Sequence, residues 1–213
     1  MNGWKSPVGV TPKQAELEGS SSEPEPNTSL ALNALFYHLR HEKKYNILDL
    51  GPALGANVDF FSQFSCKIHI EDLYHTLSSF DFFSPEDGFT YQTVFEYLLP
   101  YTHNTQFDVI LSWDIFNYLE REEFESLISH LGHFCNKGTL LFSLISTLKH
   151  IPEKPTIFRI QDQETLQYQT GSTVLRPCPG YQQTDLNHLM PRFRVCNSFL
   201  LRNGFKEYIF VYE

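Results

Sequence analysis

The stretch YNILDLGPALGANVDF, Tyr45 to Phe60, limits the fold more than any other part of the chain. An apolar run, Ile47-Leu48-Asp49-Leu50, passes directly into Gly51, Pro52, Ala53, Leu54 and Gly55, and apolar residues resume from Val58. That order predicts a buried strand turning sharply into a helix over a glycine-bearing loop. Glycine lets the backbone approach a ligand, and the helix that follows directs its first N–H groups toward an anion or carboxylate. A turn needed only for packing accounts for the same glycines, so the loop alone assigns no ligand.

The same alternation continues beyond the loop. A helical period starts at Ser29, with Leu30, Leu32, Leu35, Phe36 and Leu39 on one broad face and Thr28 or Ser29 as cap. Strands are expected at Tyr45–Leu50, Lys67–Ile70, Phe89–Val94, Phe107–Ser112 and Thr139–Leu144. Helices are expected near Asn57–Phe64, Leu73–Phe80 and Glu120–Phe134. Arg192–Leu201 and Phe205–Tyr212 flank Asn203-Gly204, a strong hairpin signal. The pattern predicts an α/β, doubly wound, mostly parallel seven-stranded sheet, with helices on both faces and an antiparallel C-terminal hairpin. Residues 28–213 form one domain in this reading. Residues 1–27, ending in EGSSSEPEPN, are too poor in apolar groups to order themselves and are expected to be a disordered tail.

Composition removes several function classes. A formal net charge of −9 argues against broad contact with nucleic acid or an anionic membrane. Cys66, Cys135, Cys178 and Cys196 show no metal-type spacing and read as free thiols of a reducing compartment. No apolar leader-like region and no run of about 18 apolar residues occurs, which predicts a cytoplasmic chain.

In a doubly wound sheet, ligands bind outside the carboxyl ends of the strands. The residues there are therefore the candidates. Gly51 and Gly55 follow the first strand. Asp72, beside Glu71, follows the second, where a carboxylate accepts from ribose hydroxyls or caps the next helix. Glu96, between Phe95 and Tyr97, follows the expected third strand and suits an adenine ring, although a solvated loop glutamate is the simpler reading. SWDIFNYL, Ser112 to Leu119, gathers Trp113, Asp114 and Asn117 after the fourth, where a helix start would also use them.

These signals come in the order found in one family. From Tyr45 to Leu144 the chain resembles the class I S-adenosylmethionine-dependent methyltransferases. ILDLGPALGANVDFF looks like their first motif and IEDL like the acidic end of their second strand. FEYLLPYTHNTQFDVILSWDIFNYL resembles the span through their fourth strand, and HFCNKGTLLFSL the turn before their fifth. The closing hairpin matches their sixth and seventh strands, the seventh antiparallel and inserted between the fifth and sixth. The resemblance implies S-adenosylmethionine as cofactor, with Gly51 and Gly55 under the methionine part and Asp72 on the ribose. It also implies Glu96 and Tyr97 at the adenine, and Ser112 and Trp113 bordering the transferable methyl. Ala53 stands where the family usually has glycine, and its methyl is expected to crowd the methionine.

No acceptor signature follows. The absence of an Asn/Asp-Pro-Pro-Tyr segment after the fourth strand argues against methylation of nucleobase amines or protein glutamine, and the expected acceptor is a small molecule or stays undefined. The insert at 149–183 is expected to cap the site, with Arg159, Tyr168, Arg176 and Tyr181 as possible acceptor contacts or mere edge cover. His38 with His41, and His130 with His133, have helical spacing but no completing ligand, so no metal is expected. A methyltransferase-like scaffold without catalysis is the alternative. A nicotinamide oxidoreductase is disfavoured by the missing third glycine of G-x-G-x-x-G.

Overall fold

Alternate residues along the buried strands pack into two cores, one on each face of a central sheet. The computed structural model describes residues 25–39, 43–79, 90–102 and 104–213. The chain enters through β1 (Glu25–Thr28) and α1 (Leu30–His38). Next come β2 (Tyr45–Asp49), α2 (Gly55–Phe61), β3 (Cys66–Ile70) and α3 (Leu73–Ser79). After α4 (Tyr91–Leu98), β4 (Phe107–Trp113) and a short 3-10 turn at Ile115–Tyr118 lead to α5 (Arg121–Gly132) and β5 (Cys135–Ser146). Four short strands follow: β6 (His150–Pro152), β7 (Ile157–Ile160), β8 (Thr165–Gln169) and β9 (Leu175–Pro177). The chain closes with α6 (Gln183–Leu189), β10 (Phe193–Leu200) and β11 (Phe205–Tyr212).

The central sheet has the order β10-β11-β5-β4-β2-β3. β2 pairs in parallel with β3 and β4, and β4 with β5. β11 lies antiparallel between β5 and β10, as the hairpin signal predicts. Leu48, Ile110, Leu141 and Phe210 face the core shared with α4, α5 and α6. Ile47, Val109, Phe142 and Ile209 face the opposite core, shared with α1 and α2. That second core is rich in phenylalanine. The ring of Phe36 lies 4.8 Å from Phe60, 5.9 Å from Phe61 and 5.5 Å from Phe64, contacts that add to the burial of each ring.

Two expectations are corrected. The sheet has six strands among the described residues, not seven. The span read as a third strand instead enters helix α4 at Tyr91, while Phe89 lies outside the described residues. Thr90 and Thr93 form a capping box that starts this helix, and Phe95 and Leu98 bury one face of it. The β-branched and aromatic composition of the span is outweighed by capping and packing. The second correction concerns the expected tail. Residues 1–24 lie outside the described residues, but Glu25, Pro26 and Asn27 belong to β1, which pairs antiparallel with β8. β1 is the edge of the sheet β1-β8-β7, where a proline without an N–H is tolerated.

Ser29 caps α1 by accepting from the N–H of Leu32. Beneath the same helix end lies Glu207 of β11, fully buried, with Oε2 accepting from the N–H of Ala31 at 3.0 Å. A carboxylate there meets the positive end of the helix dipole, while burial pushes its own carboxyl above the ordinary range.

Candidate functional site

Parallel pairing brings three strand ends level. Asp49 is opposite Ile70 on one side and Leu111 on the other. The pairing reaches just past the strands: Leu50 N–H donates to Leu111 O at 3.0 Å and Glu71 N–H to Asp49 O at 2.8 Å. Beyond these bonds the chain parts toward helices, and a cavity of about 420 Å³ opens. Gly51, Asp72, Tyr74, Trp113, Asp114 and Phe158 are among the residues that line it. It occupies the place that open α/β sheets use for ligands.

One carboxylate organises its floor. Asp49 is 1% exposed. Its Oδ1 accepts from the backbone N–H of Gly51 at 2.9 Å and from the indole Nε1–H of Trp113 at 2.6 Å. Burial raises its pKa to about 6; the Trp113 and Gly51 hydrogen bonds oppose the rise, and the charge of Asp72 adds to it. Trp113 has a φ of +48°, the only positive φ among described non-glycine residues. For a bulky side chain that conformation costs about 1–3 kcal/mol, so surrounding contacts must hold it. The indole bonds to Asp49 and stacks on Phe158, 5.5 Å away and 5° from parallel. Here β4 and β5 also slip register, between Leu111 and Trp113, which turns the side chain of Trp113 back over the glycine turn. A Cβ placed on Gly51 would meet the indole at 2.8 and 2.9 Å. Gly51 is therefore glycine because Trp113 lies on it.

The remaining wall is the strap Lys154–Phe158, which four residues from elsewhere in the chain hold along its length and just beyond its two ends. Thr156 N–H donates to Asp114 Oδ2 at 3.1 Å. Asn57, in the first turn of α2, donates to Phe158 O at 3.1 Å and accepts from Ile160 N–H at 2.8 Å. Tyr74 OH donates to Glu153 O at 2.8 Å, and Tyr118 OH to Lys154 O at 3.2 Å. Asp114 is buried so deeply that its pKa rises to about 7, although hydrogen bonds from Thr156 pull the other way.

The residues singled out from sequence separate into two groups. Gly51, Asp72, Ser112 and Trp113 line one cavity. Within it, Ser112 Oγ–H donates to Phe142 O at 2.9 Å, and Asp72 Oδ1 accepts from the N–H of His75 at 3.1 Å, the capping role weighed for it above. Ala53, Gly55, Glu96 and Tyr97 lie outside the lining and are exposed. Glu96 is on α4, accepting from Gln92 Nε2 at 2.9 Å, and Tyr97 is 71% exposed. Nothing lies within 4 Å of a Cβ on Gly55, so that position does not require glycine. Asp49 and Asn57 were not among the expected site residues, whereas Asp114 stands in the SWDIFNYL stretch and the strap within the 149–183 insert, both singled out from sequence. Asp49 carried a signal, an acid inside an apolar strand, whereas the distant contact of Asn57 with Ile160 has no local trace.

No family model and no curated protein matches the chain. Solved structures do. A Pyrococcus horikoshii protein superposes with a TM-score of 0.51 at 11% identity, over 84% of this chain and 86% of its own. A structure from Clostridium acetobutylicum, described as an S-adenosylmethionine-dependent methyltransferase, has a TM-score of 0.51 at 11% identity, over 86% of this chain and 89% of its own. The chain has the class I methyltransferase fold. Within that fold, the insertion of antiparallel β11 between β5 and β10 is the feature that the sequence most clearly announced.

The two glycines of the methyltransferase-type loop should respond in opposite ways. Gly51→Ala forces the indole off its seat and destabilises by about 1–3 kcal/mol. Gly55→Ala, at the first residue of α2 in open space, stabilises by about 0.4–1 kcal/mol. Urea unfolding of both variants measures the contrast. Asp114 supplies a test in pH. A carboxyl with a raised folded-state pKa makes the native chain bind more protons than the unfolded one, so its contribution to stability falls as pH rises from about 4 to about 7. Asp114→Asn keeps the acceptor for Thr156 and cannot ionise. Wild type should lose stability relative to Asp114→Asn between about pH 4 and pH 7, with no further divergence above that range, as urea unfolding at each pH would record.

Proposed function

We propose that this protein is an S-adenosylmethionine-dependent methyltransferase acting on a small molecule. The observation that carries the reading is that Gly51 and Asp72, at the ends of neighbouring strands, border one cavity with the end of β4. The chemistry of the lining fits a cationic ligand. Asp72 and Asp114 line it, Asp49 lies beneath Trp113, and aromatic faces come from Tyr74, Trp113 and Phe158. The basic groups lining it, His75 and Lys154, are exposed. Such a site favours a sulfonium and disfavours the two phosphates of a nicotinamide dinucleotide.

S-adenosylmethionine supplies, when bound, an electrophilic methyl group on a positively charged sulfur. The protein's own part is to place and enclose. Asp72 would take the ribose hydroxyls with the oxygen not committed to His75, and Trp113 would border the methionine part. Asp114, in the same lining, is placed to receive a proton from the acceptor's nucleophile, and its raised pKa suits that exchange near neutrality. The strap keeps water out while the methyl moves. The net charge of −9 and a cavity of small-molecule size support a small acceptor over nucleic acid. Among the described residues no helix is long and apolar enough to cross a membrane.

Calorimetric titration with S-adenosylhomocysteine tests the reading. Wild type should bind, and NAD should give no heat. Asp72→Ala should weaken binding by about 1.5–3 kcal/mol, the scale of hydrogen bonds to a charged acceptor. Glu96→Ala and Ala53→Gly, both outside the cavity, should leave the affinity unchanged. A wild-type chain that is folded yet takes up no S-adenosylhomocysteine would contradict the proposal.

A further inference from the structure

We propose that Trp113 is the specificity-determining residue of the cofactor site: its indole holds the place of an ammonium group on Asp49 and yields only to a ligand that carries one. The inference rests on the methyltransferase reading and concerns how that site chooses its ligand.

Space makes the first argument. The indole comes so close to Gly51 that even one added carbon would meet it at 2.8 Å. No ligand atom can occupy the Cβ side of Gly51 while the ring is there. A ligand whose aminocarboxyl arm crosses the glycine turn on that side, toward Asp49, must therefore displace Trp113.

Energetics makes the second. The indole N–H is one of the two donors bonded to Asp49 Oδ1, and that carboxylate is 1% exposed. Removing the donor without replacement leaves a buried charge short of a partner, which is strongly unfavourable. An ammonium group replaces it with a hydrogen bond charged on both sides, stronger than that of a neutral indole. The charged hydrogen bond also has to offset the lost stacking on Phe158. A ligand with the adenosyl sulfur but no amino-acid arm offers Asp49 nothing, so the ring stays. Discrimination then resides in the exchange of donors on one oxygen, and Trp113 sets its threshold.

The chain contains two tryptophans, Trp4 and Trp113, so the full-length Trp4→Phe protein reports on Trp113 alone. S-adenosylhomocysteine should shift its emission to the red and raise its quenching by acrylamide. 5′-Methylthioadenosine, which lacks the amino-acid arm, should bind more weakly and leave both signals unchanged. Trp113→Phe keeps a ring over Gly51 but removes the competing donor. It should bind S-adenosylhomocysteine about three- to tenfold more tightly than wild type, the worth of one hydrogen bond, with no change for 5′-methylthioadenosine. Thermal unfolding confirms that each protein is folded.

Two results overturn the proposal and are distinguishable. Calorimetric saturation by S-adenosylhomocysteine with static emission and quenching, or equal effects of Trp113→Phe on both ligands, shows that the indole does not trade places with the arm. The cofactor reading then stands and the role of Trp113 falls. If neither ligand gives heat with wild type or Trp113→Phe, both fall together.

Discussion

The site depends on one buried carboxylate oxygen. Asp49 Oδ1 fixes the glycine turn through the N–H of Gly51 and the end of β4 through the indole of Trp113. The indole in turn supports the strap by stacking on Phe158. A carboxylate withdrawn from water must find such donors, because leaving it unpaired costs several kcal/mol. Three chain segments distant in sequence are thereby held to one geometry, at the one end of the sheet where the parallel strands diverge.

The sheet makes this arrangement possible. Residues on both sides of each central strand are committed to packing, against α1 and α2 on one face and α4, α5 and α6 on the other. The polar side chains that gather at the cavity stand where the strands end: Asp49, Asp72, Ser112 and Asp114 are all at or just beyond strand ends. The strap is fastened separately, by Asn57 from the helix that the glycine turn launches. Turn, floor and roof are coupled through short polar bonds and through the stacking of Trp113 on Phe158 in the second core, so a change at the turn is felt at the roof.

What could be read from sequence follows the range of the interactions involved. Strand–helix alternation, the Asn203-Gly204 hairpin and the Ser29 cap are local and were legible. The third strand was misread because six residues of strand-like composition carry no mark of the Thr90 capping box and the face that buries Phe95. That error carried Glu96 and Tyr97 into the candidate site, although both face solvent on α4. Gly51, Asp72, Ser112 and Trp113 line one cavity because topology brings strand ends together. Ala53 was expected to crowd the methionine; it is exposed and outside the cavity lining, and what lies on the loop is Trp113, with an unusual φ and a register slip beside it that no residue pattern signals. Likewise, the grip of Asn57 on Ile160 spans too much chain to be inferred from either end.

The most direct test of the account is the nuclear magnetic resonance signal of the Trp113 indole N–H in isotopically labelled Trp4→Phe protein. A hydrogen bond of 2.6 Å to a buried carboxylate predicts a single indole resonance, displaced downfield and slow to exchange with solvent. It should move with an apparent pKa of about 6 as Asp49 titrates, and lose that pH dependence in Asp49→Asn. An indole resonance at the position of a solvated tryptophan, unmoved between pH 4 and pH 8, would contradict the account at its centre.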